Sequence, residues 1–364
     1  MSTYTNSILS GGAVVQQNCW MRRIQIVFES KYKITRDLIE NDETDFIGYL
    51  YEKYPGLEKE GGLRLTISDD PGDNYAIYVN GTKNLALTAD SGVIRINNLS
   101  YNVIALITAL KLYRLTINVG YRSNDSLITV ARGEVSYIQQ KIRSRRDTET
   151  YISFASELVA GWSQNRINFS MRSGTNIYDM FYRLFIGQGA PVNTVEFDKR
   201  LRNMVASNIL TASGNTTNAV DMALASKTST NLLAIADGSA DATGKIISIT
   251  DISEKRVIPI NKHFINIANG NPTVTQDGLD IELFPVFNLV PGDIIQIDNR
   301  MIDTSQGMTT TEGVLNNYNT NYMNPDGLYI LKQINYTFEN RGTTFLFRCK
   351  GIALNLYKAL QGVN

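Results

Sequence analysis

Histidine is almost absent from this chain: His263 is the only one in 364 residues. A Ser-His-Asp triad would have to be built round that single imidazole, and no Gly-x-Ser-x-Gly elbow accompanies it. Cysteine is nearly as scarce. Cys19 and Cys349 stand near opposite ends, with no Cys-x-x-Cys pair. That pattern argues against a tetrahedral zinc site and for two free, reduced, partly buried thiols, with a bridge between the two ends as the alternative. Net charge is missing too. Lys+Arg and Asp+Glu are both 35, so the basic excess of a dedicated nucleic-acid binder is absent. The longest apolar run, from Val103 to Val119, is broken by Lys111, Arg114 and Asn118, too short and polar for a bilayer span. Met1 to Gln17 lacks the basic and apolar regions of a signal peptide. The expectation is a protein made in a cytoplasm, with no catalytic residue, no metal and no cofactor.

What is present is a core. Hydrophobic residues make up 43% and charged residues 19%, so the chain can bury the interior of two or three ordinary domains. The pattern is α+β and mainly β. Strands are predicted over Trp20–Glu29, Leu63–Ser68, Tyr75–Val79 and Val93–Asn97, the second and third joined as a hairpin by the acidic turn Asp69 to Asn74. Helical spacing over 32–59 predicts a helical insertion. Ser100 is placed to cap a helix opening at Tyr101. Further strands are predicted over Leu115–Tyr121, Leu127–Ala131, Val135–Arg143 and Thr148–Ala155.

A smaller α+β region spans 161–258. It holds strands at Arg166–Met171, Leu232–Ala236 and Lys245–Ile252, and a helix with Ile177, Met180, Phe181, Leu184 and Phe185 inward. Helices are also expected over Phe197–Ser207 and Asn218–Ser226, with Ser213–Thr217 a polar loop. The last region, 259–364, reads as strands Gly278–Pro285 and Ile294–Asp298, then a long aperiodic loop over 301–325. A closing hairpin pairs Gly327–Phe338 with Thr343–Ile352, with Asn340 or Gly342 suited to positive φ. Residues 1–160, with the insertion 32–59, form the first unit.

Chemistry-bearing patterns are few. The acidic turn lacks the spacing and terminal Glu of a calcium loop. Gly187-Gln188-Gly189 has no following Lys-Ser/Thr and is no phosphate loop. Asp280 and Glu282 share a strand face, which suits a solvated surface and leaves a glycoside hydrolase as a rival reading. The basic run Lys141, Arg143, Arg145, Arg146 is a solvated hairpin tip, or a contact to an acidic partner or to passing DNA. The candidate interface residues are these four together with Asn316, Tyr318 and Tyr322 of the long loop.

Val93 to Ser156 orders its parts as strand, Asn-Leu-Ser, helix, Val-Gly-Tyr strand, turn, Arg-Gly-Glu-Val, then a basic hairpin ending in Asp-Thr-Glu-Thr. With Gly278–Phe284, the Pro291-Gly292-Asp293-Ile294 step and the Gly327–Lys332 strand, this order resembles the baseplate or tail hub proteins of long-tailed phages, the late-control D-like family. The resemblance implies two tube-like antiparallel β-domains with packed helices per subunit. It further implies a homotrimeric, pseudo-sixfold ring joining the tail tube protein to the central spike protein. Other baseplate proteins would be neighbours, DNA would pass without specific binding, and no membrane would be involved. The place of work would be the virion, after assembly in the host cytoplasm. A distal-tail or receptor-side attachment protein and a tail-associated cell-wall hydrolase stand as alternatives.

Overall fold

The computed structural model describes residues 22–29, 57–58, 64–69, 75–85, 90–122, 127–145, 147–155, 166–186, 195–197, 202–203, 205, 210–215, 232–236, 247–251, 255–275, 278–303, 308–311, 314–317 and 323–354. Strands dominate. The first group is β1 (Arg22–Glu29), β2 (Leu57–Glu58), β3 (Arg64–Ser68), β4 (Ala76–Asn84), β5 (Ser91–Asn97), β6 (Arg114–Tyr121), β7 (Leu127–Ile142) and β8 (Thr148–Ala155). Helix α1 (Tyr101–Ala109) lies between β5 and β6. The middle of the chain contributes β9 (Arg166–Met171), helix α2 (Ile177–Ile186), β10 (Val195–Phe197), β11 (Leu210–Asn215), β12 (Leu232–Ala236) and β13 (Ile247–Asp251). The last group is β14 (Val257–Ile260), β15 (Thr273–Thr275), β16 (Gly278–Leu283), β17 (Ile294–Ile297), β18 (Met308–Thr311), β19 (Val314–Asn317), β20 (Leu328–Glu339) and β21 (Phe345–Ala353).

Fourteen of these strands form one mainly antiparallel sheet, ordered β15-β16-β21-β20-β4-β5-β8-β7-β6-β1-β3-β2, with β14 and β17 joined through β20. Strands from the two ends of the chain meet where β4 pairs β20, from Gln333↔Asn84 to Glu339↔Tyr78. Alternation explains the layering: inward residues of each strand are apolar and outward ones polar. Ile24, Ile26 and Phe28 of β1 pack in one core with Ile94 and Ile96 of β5, Tyr336 and Phe338 of β20, Phe347 of β21 and Ile281 of β16. Phe338 is fully buried and meets Phe345 and Phe347 edge-on, at 5.1 and 5.3 Å between ring centroids.

Helix α1 lies on this core through Leu106 and Ile107. The Ser100 hydroxyl accepts the Val103 N–H at 3.3 Å, the cap read from sequence. Asn98 takes φ 59°, and its side chain accepts the Thr148 N–H at 2.9 Å, tying the helix entry to β8.

The β4–β20 seam has its own chemistry. Asn80 donates to Thr337 at 3.0 Å, and Thr82 donates to Asn335 at 2.8 Å on the outward face. On the inward face the Tyr336 ring lies over Gly81, where a Cβ would sit 2.2 Å from the phenol oxygen. Gly81 pairs Gly92, which Phe154 covers in the same way at 2.5 Å. Two neighbouring glycines thus make room for two rings. Burial, with Asp90 adding, pushes the Tyr336 phenol far above the ordinary tyrosine range.

Several expectations are corrected. β3 and β4 do not form a hairpin: β3 pairs β1 and β2, while β4 pairs β5 and β20. The two strands expected over 127–143 are a single strand, β7, which absorbs Gly133 and has a register irregularity between Val135 and Tyr137. Gly133 fits because its α-carbon passes against the Ala155 carbonyl. Phe197–Ser207 is not one helix. Phe197 ends β10, and Val205 bridges Asn176. The expected polar loop at Ser213 belongs to β11, paired with β9. The loop 301–325 carries the β18–β19 hairpin. Neither Asn340 nor Gly342 has positive φ; Asn340 closes the turn with its side chain instead, accepting from Ile77 N at 2.8 Å and donating to Tyr75 O at 2.7 Å. Of the helix expected over 32–59, the described part, Leu57–Glu58, is strand; the rest, with Gly187–Pro191 and Asn218–Ser226, lies outside the described residues. His263 sits in a short 3-10 turn, Lys262–Phe264.

Replacing Gly81 by Ala should cost about 1–3 kcal/mol, because a methyl group meets both the Tyr336 ring and the Ser91 carbonyl. Asn80→Ala, one residue away and outward, should cost less than about 1 kcal/mol. Urea midpoints of the two variants check this; equal losses would refute the ring-over-glycine account.

Candidate protein interface

The outward face of the sheet is polar across five strands. One row runs Gln139–Tyr151–Arg95–Tyr78–Glu339 from β7 to β20. Arg95 lies over the Tyr78 ring, 4.9 Å from its centroid. A second row is Tyr137–Ser153–Val93–Asn80–Thr337. Such a face is wide, flat in chemistry and suited to contact rather than catalysis.

β7 is longer than its neighbour β6. The ladder between them ends at Arg114↔Glu134, with one further bond from Val135 N to Tyr113 O. Beyond that, β7 pairs only β8, up to Ile142↔Thr148. Among the described residues no strand covers the other edge of this extension. It also carries exposed apolar side chains: Tyr137 is 57% and Ile142 80% exposed. An open edge with apolar side chains is a template for pairing with another chain.

The basic run sits at the tip of this extension. Arg143 is set against Glu149 across the hairpin, and Lys141 stands in register with the same residue. Arg143 Nε donates to Glu149 Oε2 at 2.6 Å, and Tyr151 donates to the same oxygen at 2.8 Å. The Arg143 guanidinium, then the Tyr151 hydroxyl, hold the Glu149 carboxyl below its ordinary range. Lys141 lies 4.9 Å from the Tyr151 ring centroid. Ser144 and Asp147 close the turn by a 2.8 Å bond. Arg145 is exposed in that turn. Arg146, Tyr318 and Tyr322 lie outside the described residues, and Asn316 pairs Thr309 in the β18–β19 hairpin, away from the basic run in sequence and sheet. The sequence shows the cations; it does not show that Glu149 faces them.

The C-terminal end of the long loop is anchored. Asn324 is buried; its amide donates to Leu328 O at 2.7 Å and its backbone N–H donates to the Tyr329 hydroxyl at 3.3 Å. Asp293, buried in the Pro-Gly-Asp turn, accepts Arg256 at 2.6 Å and Val290 N at 2.9 Å.

The acidic pair read as a hydrolase candidate is otherwise engaged. Glu282 accepts Arg348 Nε at 3.0 Å, Asn266 at 3.0 Å and Asn269 at 2.6 Å. Burial pushes its carboxyl up, but these donors outweigh that and hold it below the ordinary range. A general acid for glycoside cleavage needs the opposite shift. Asp280 stands in register with Lys350. Cys349 is buried and its thiol is pushed up, first by burial and then by Asp280; Cys19 lies outside the described residues. Among the described residues no cluster of three His, Cys, Asp or Glu is placed to hold a metal, and no helix is long and apolar enough to cross a membrane.

No family model matches this chain, and no curated protein matches it. Solved structures do, and these neighbours are phage-tail and type VI secretion proteins. One is an E. coli component of the type VI secretion system described as structurally similar to the T4 bacteriophage tail proteins gp27 and gp5. It is 10% identical, covers 76% of this chain and 73% of its own, and gives a TM-score of 0.46. A tail protein from Neisseria meningitidis MC58 is 10% identical over 78% of this chain and 98% of its own, with a TM-score of 0.47. A 43 kDa tail protein of prophage MuSo2 from Shewanella oneidensis is 9% identical over 78% and 97%, with a TM-score of 0.45.

The Glu282 network has a pH signature. A folded-state pKa below the unfolded value stabilises the fold above the unfolded pKa, near 4.3, and the gain is lost as pH falls through the folded value. Glu282→Gln should therefore lose about 1–2 kcal/mol at pH 7 and progressively less below about pH 4. Urea melts across that range test it; a pH-independent difference would exclude the ionised network as the cause.

Proposed function

We propose that this chain is a structural subunit of a phage-type tail: a baseplate hub in which three copies close into a ring between the tail tube and the central spike, within the virion. The order of sequence motifs motivates the reading. The observation that carries it is the open β7 extension from Ser136 to Ile142, with Tyr137 and Ile142 exposed on it. A ring of sheets satisfies such edges by pairing them with the next copy. Each contact would bury more than about 1,000 Å² in total. Two tube-like β-domains per subunit would supply six similar wall segments from three copies. Lys141, Arg143, Arg145 and Arg146 at the β7 tip, and Asn316, Tyr318 and Tyr322 on the long loop, are the residues assigned to contacts with copies or other baseplate proteins. DNA would pass such a ring without specific binding, because phosphate binding needs a sustained series of cations. The two outward rows carry one cation, Arg95, and Arg143 beside them is engaged by Glu149.

Mass photometry on the purified chain tests this reading. A threefold mass is expected; a sixfold mass would favour a distal-tail ring, and a particle that stays single would overturn the proposal. Tyr137→Lys with Ile142→Lys should weaken self-association by about tenfold or more while leaving the thermal transition in place.

A further inference from the structure

Two Asn-Gly pairs occur in this chain, Asn80-Gly81 and Asn269-Gly270. Such a pair is chemically labile. The glycine nitrogen, with no side chain to shield it, can attack the asparagine Cγ. The bond from Cγ to the side-chain nitrogen breaks and ammonia leaves, which closes a succinimide ring. Water then opens that ring at one of its two carbonyls, leaving Asp or isoAsp. The sequence consumes water only.

The fold treats the two pairs differently. Asn80 and Gly81 lie inside β4 and are paired on both sides, to Val93 and Gly92 of β5 and to Thr337 and Tyr336 of β20. A peptide held extended between two ladders cannot bend into the ring. Asn269 and Gly270 are exposed, at the end of the 3-10 turn Ile267–Asn269. Each stands there for its own reason. Gly270 follows the turn at φ 117°, a backbone setting that residues with a Cβ rarely adopt. Asn269 donates its amide to Glu282 Oε2 at 2.6 Å, beside Asn266 at 3.0 Å. A turn that demands glycine and a carboxylate that demands an amide thus place a labile pair on the surface.

We propose that Asn269-Gly270 is a site of spontaneous deamidation and that Glu282 sets its rate. Two bonds must open before the Gly270 nitrogen can come within roughly 3–3.5 Å of Cγ, the range of a near-attack geometry. One is the bond from the Asn269 amide to Glu282. The other runs from Gly270 N–H to Ile267 O at 3.0 Å. The first is charge-assisted, and Glu282 is itself held by Arg348 Nε on its other oxygen, so the carboxamide is tied to a fixed anion. Glu282 is a positioning residue here: it holds Cγ and takes no part in the bond changes. The product removes the restraint. A carboxylate would replace the donor that Glu282 now accepts from, putting like charges where a hydrogen bond stood.

Peptide mapping by mass spectrometry tests this on the full folded chain in mildly alkaline buffer, beside the free peptide acetyl-Ile-Ala-Asn-Gly-Asn-amide. Wild-type Asn269 should convert to a mixture of Asp and isoAsp, slower than the peptide by about tenfold or more, because a hydrogen bond to a charged group must open first. Glu282→Gln leaves one acceptor oxygen for donors that now share two, and should speed conversion severalfold. Glu282→Ala should bring it close to the peptide's rate. Asn80 should stay intact, which shows that the chain remains folded while Asn269 reacts. Conversion of wild-type Asn269 at the peptide's rate, no conversion of Asn269 in any folded form, or an unchanged rate in a folded Glu282 variant would each overturn the assignment. If Glu282→Ala fails to fold, Glu282→Gln still decides.

Discussion

The pairing of β4 with β20 is the constraint on which the rest depends. It joins strands from the two ends of the sequence and makes one core of what would otherwise be two half-covered sheets. Phe338 and Tyr336 bury against N-terminal strands only because this ladder brings them there. The closure entropy of so long a loop grows only logarithmically with length, so a ladder of seven paired positions backed by a continuous aromatic core offsets it. The two glycines Gly81 and Gly92 and the rings above them fix the register at the seam. A slip by one residue would put Tyr336 over a side chain and turn Asn80 inward.

The same sheet explains why the edge of β7 is left open. β1, β3 and β6 share their borders, and β8 is covered on both sides. β7 overshoots β6, since β6 begins at Arg114 directly after the turn that follows α1. The extension is stiffened from within: Glu149, Arg143 and Tyr151 tie the tip, and Gln140 donates to Leu99 O at 3.0 Å beside the helix entry. A rigid overhang presents its edge at lower entropic cost than a loose one.

Local structure was legible in the sequence and partnership was not. Alternation placed β5, β8, β9 and β12 within a residue or two, and Ser100 marked the start of α1, because period and caps are properties of a few adjacent residues. The acidic turn Asp69 to Asn74 suggested a hairpin because turn chemistry speaks only about neighbours, yet β3 finds its partner in β1. Gly133 looked like a strand break, because sequence cannot show the Ala155 backbone that passes close to it. Lys83 is buried with its ammonium donating to Leu289 O at 3.2 Å, a contact across 206 residues that no local pattern announces. The basic run at 141–146 was visible, but not the opposing Glu149.

A seam between distant strands also sets a timetable. On a ribosome, Tyr78 emerges long before Glu339, its partner in the ladder. At about 5–20 residues per second, the interval is on the order of 13–50 s. Throughout it β4 has β5 but lacks its other neighbour, and the rings that will cover Gly81 do not yet exist. The nascent chain must hold half a sheet in water, so helper proteins or rapid sealing by later strands would decide its yield.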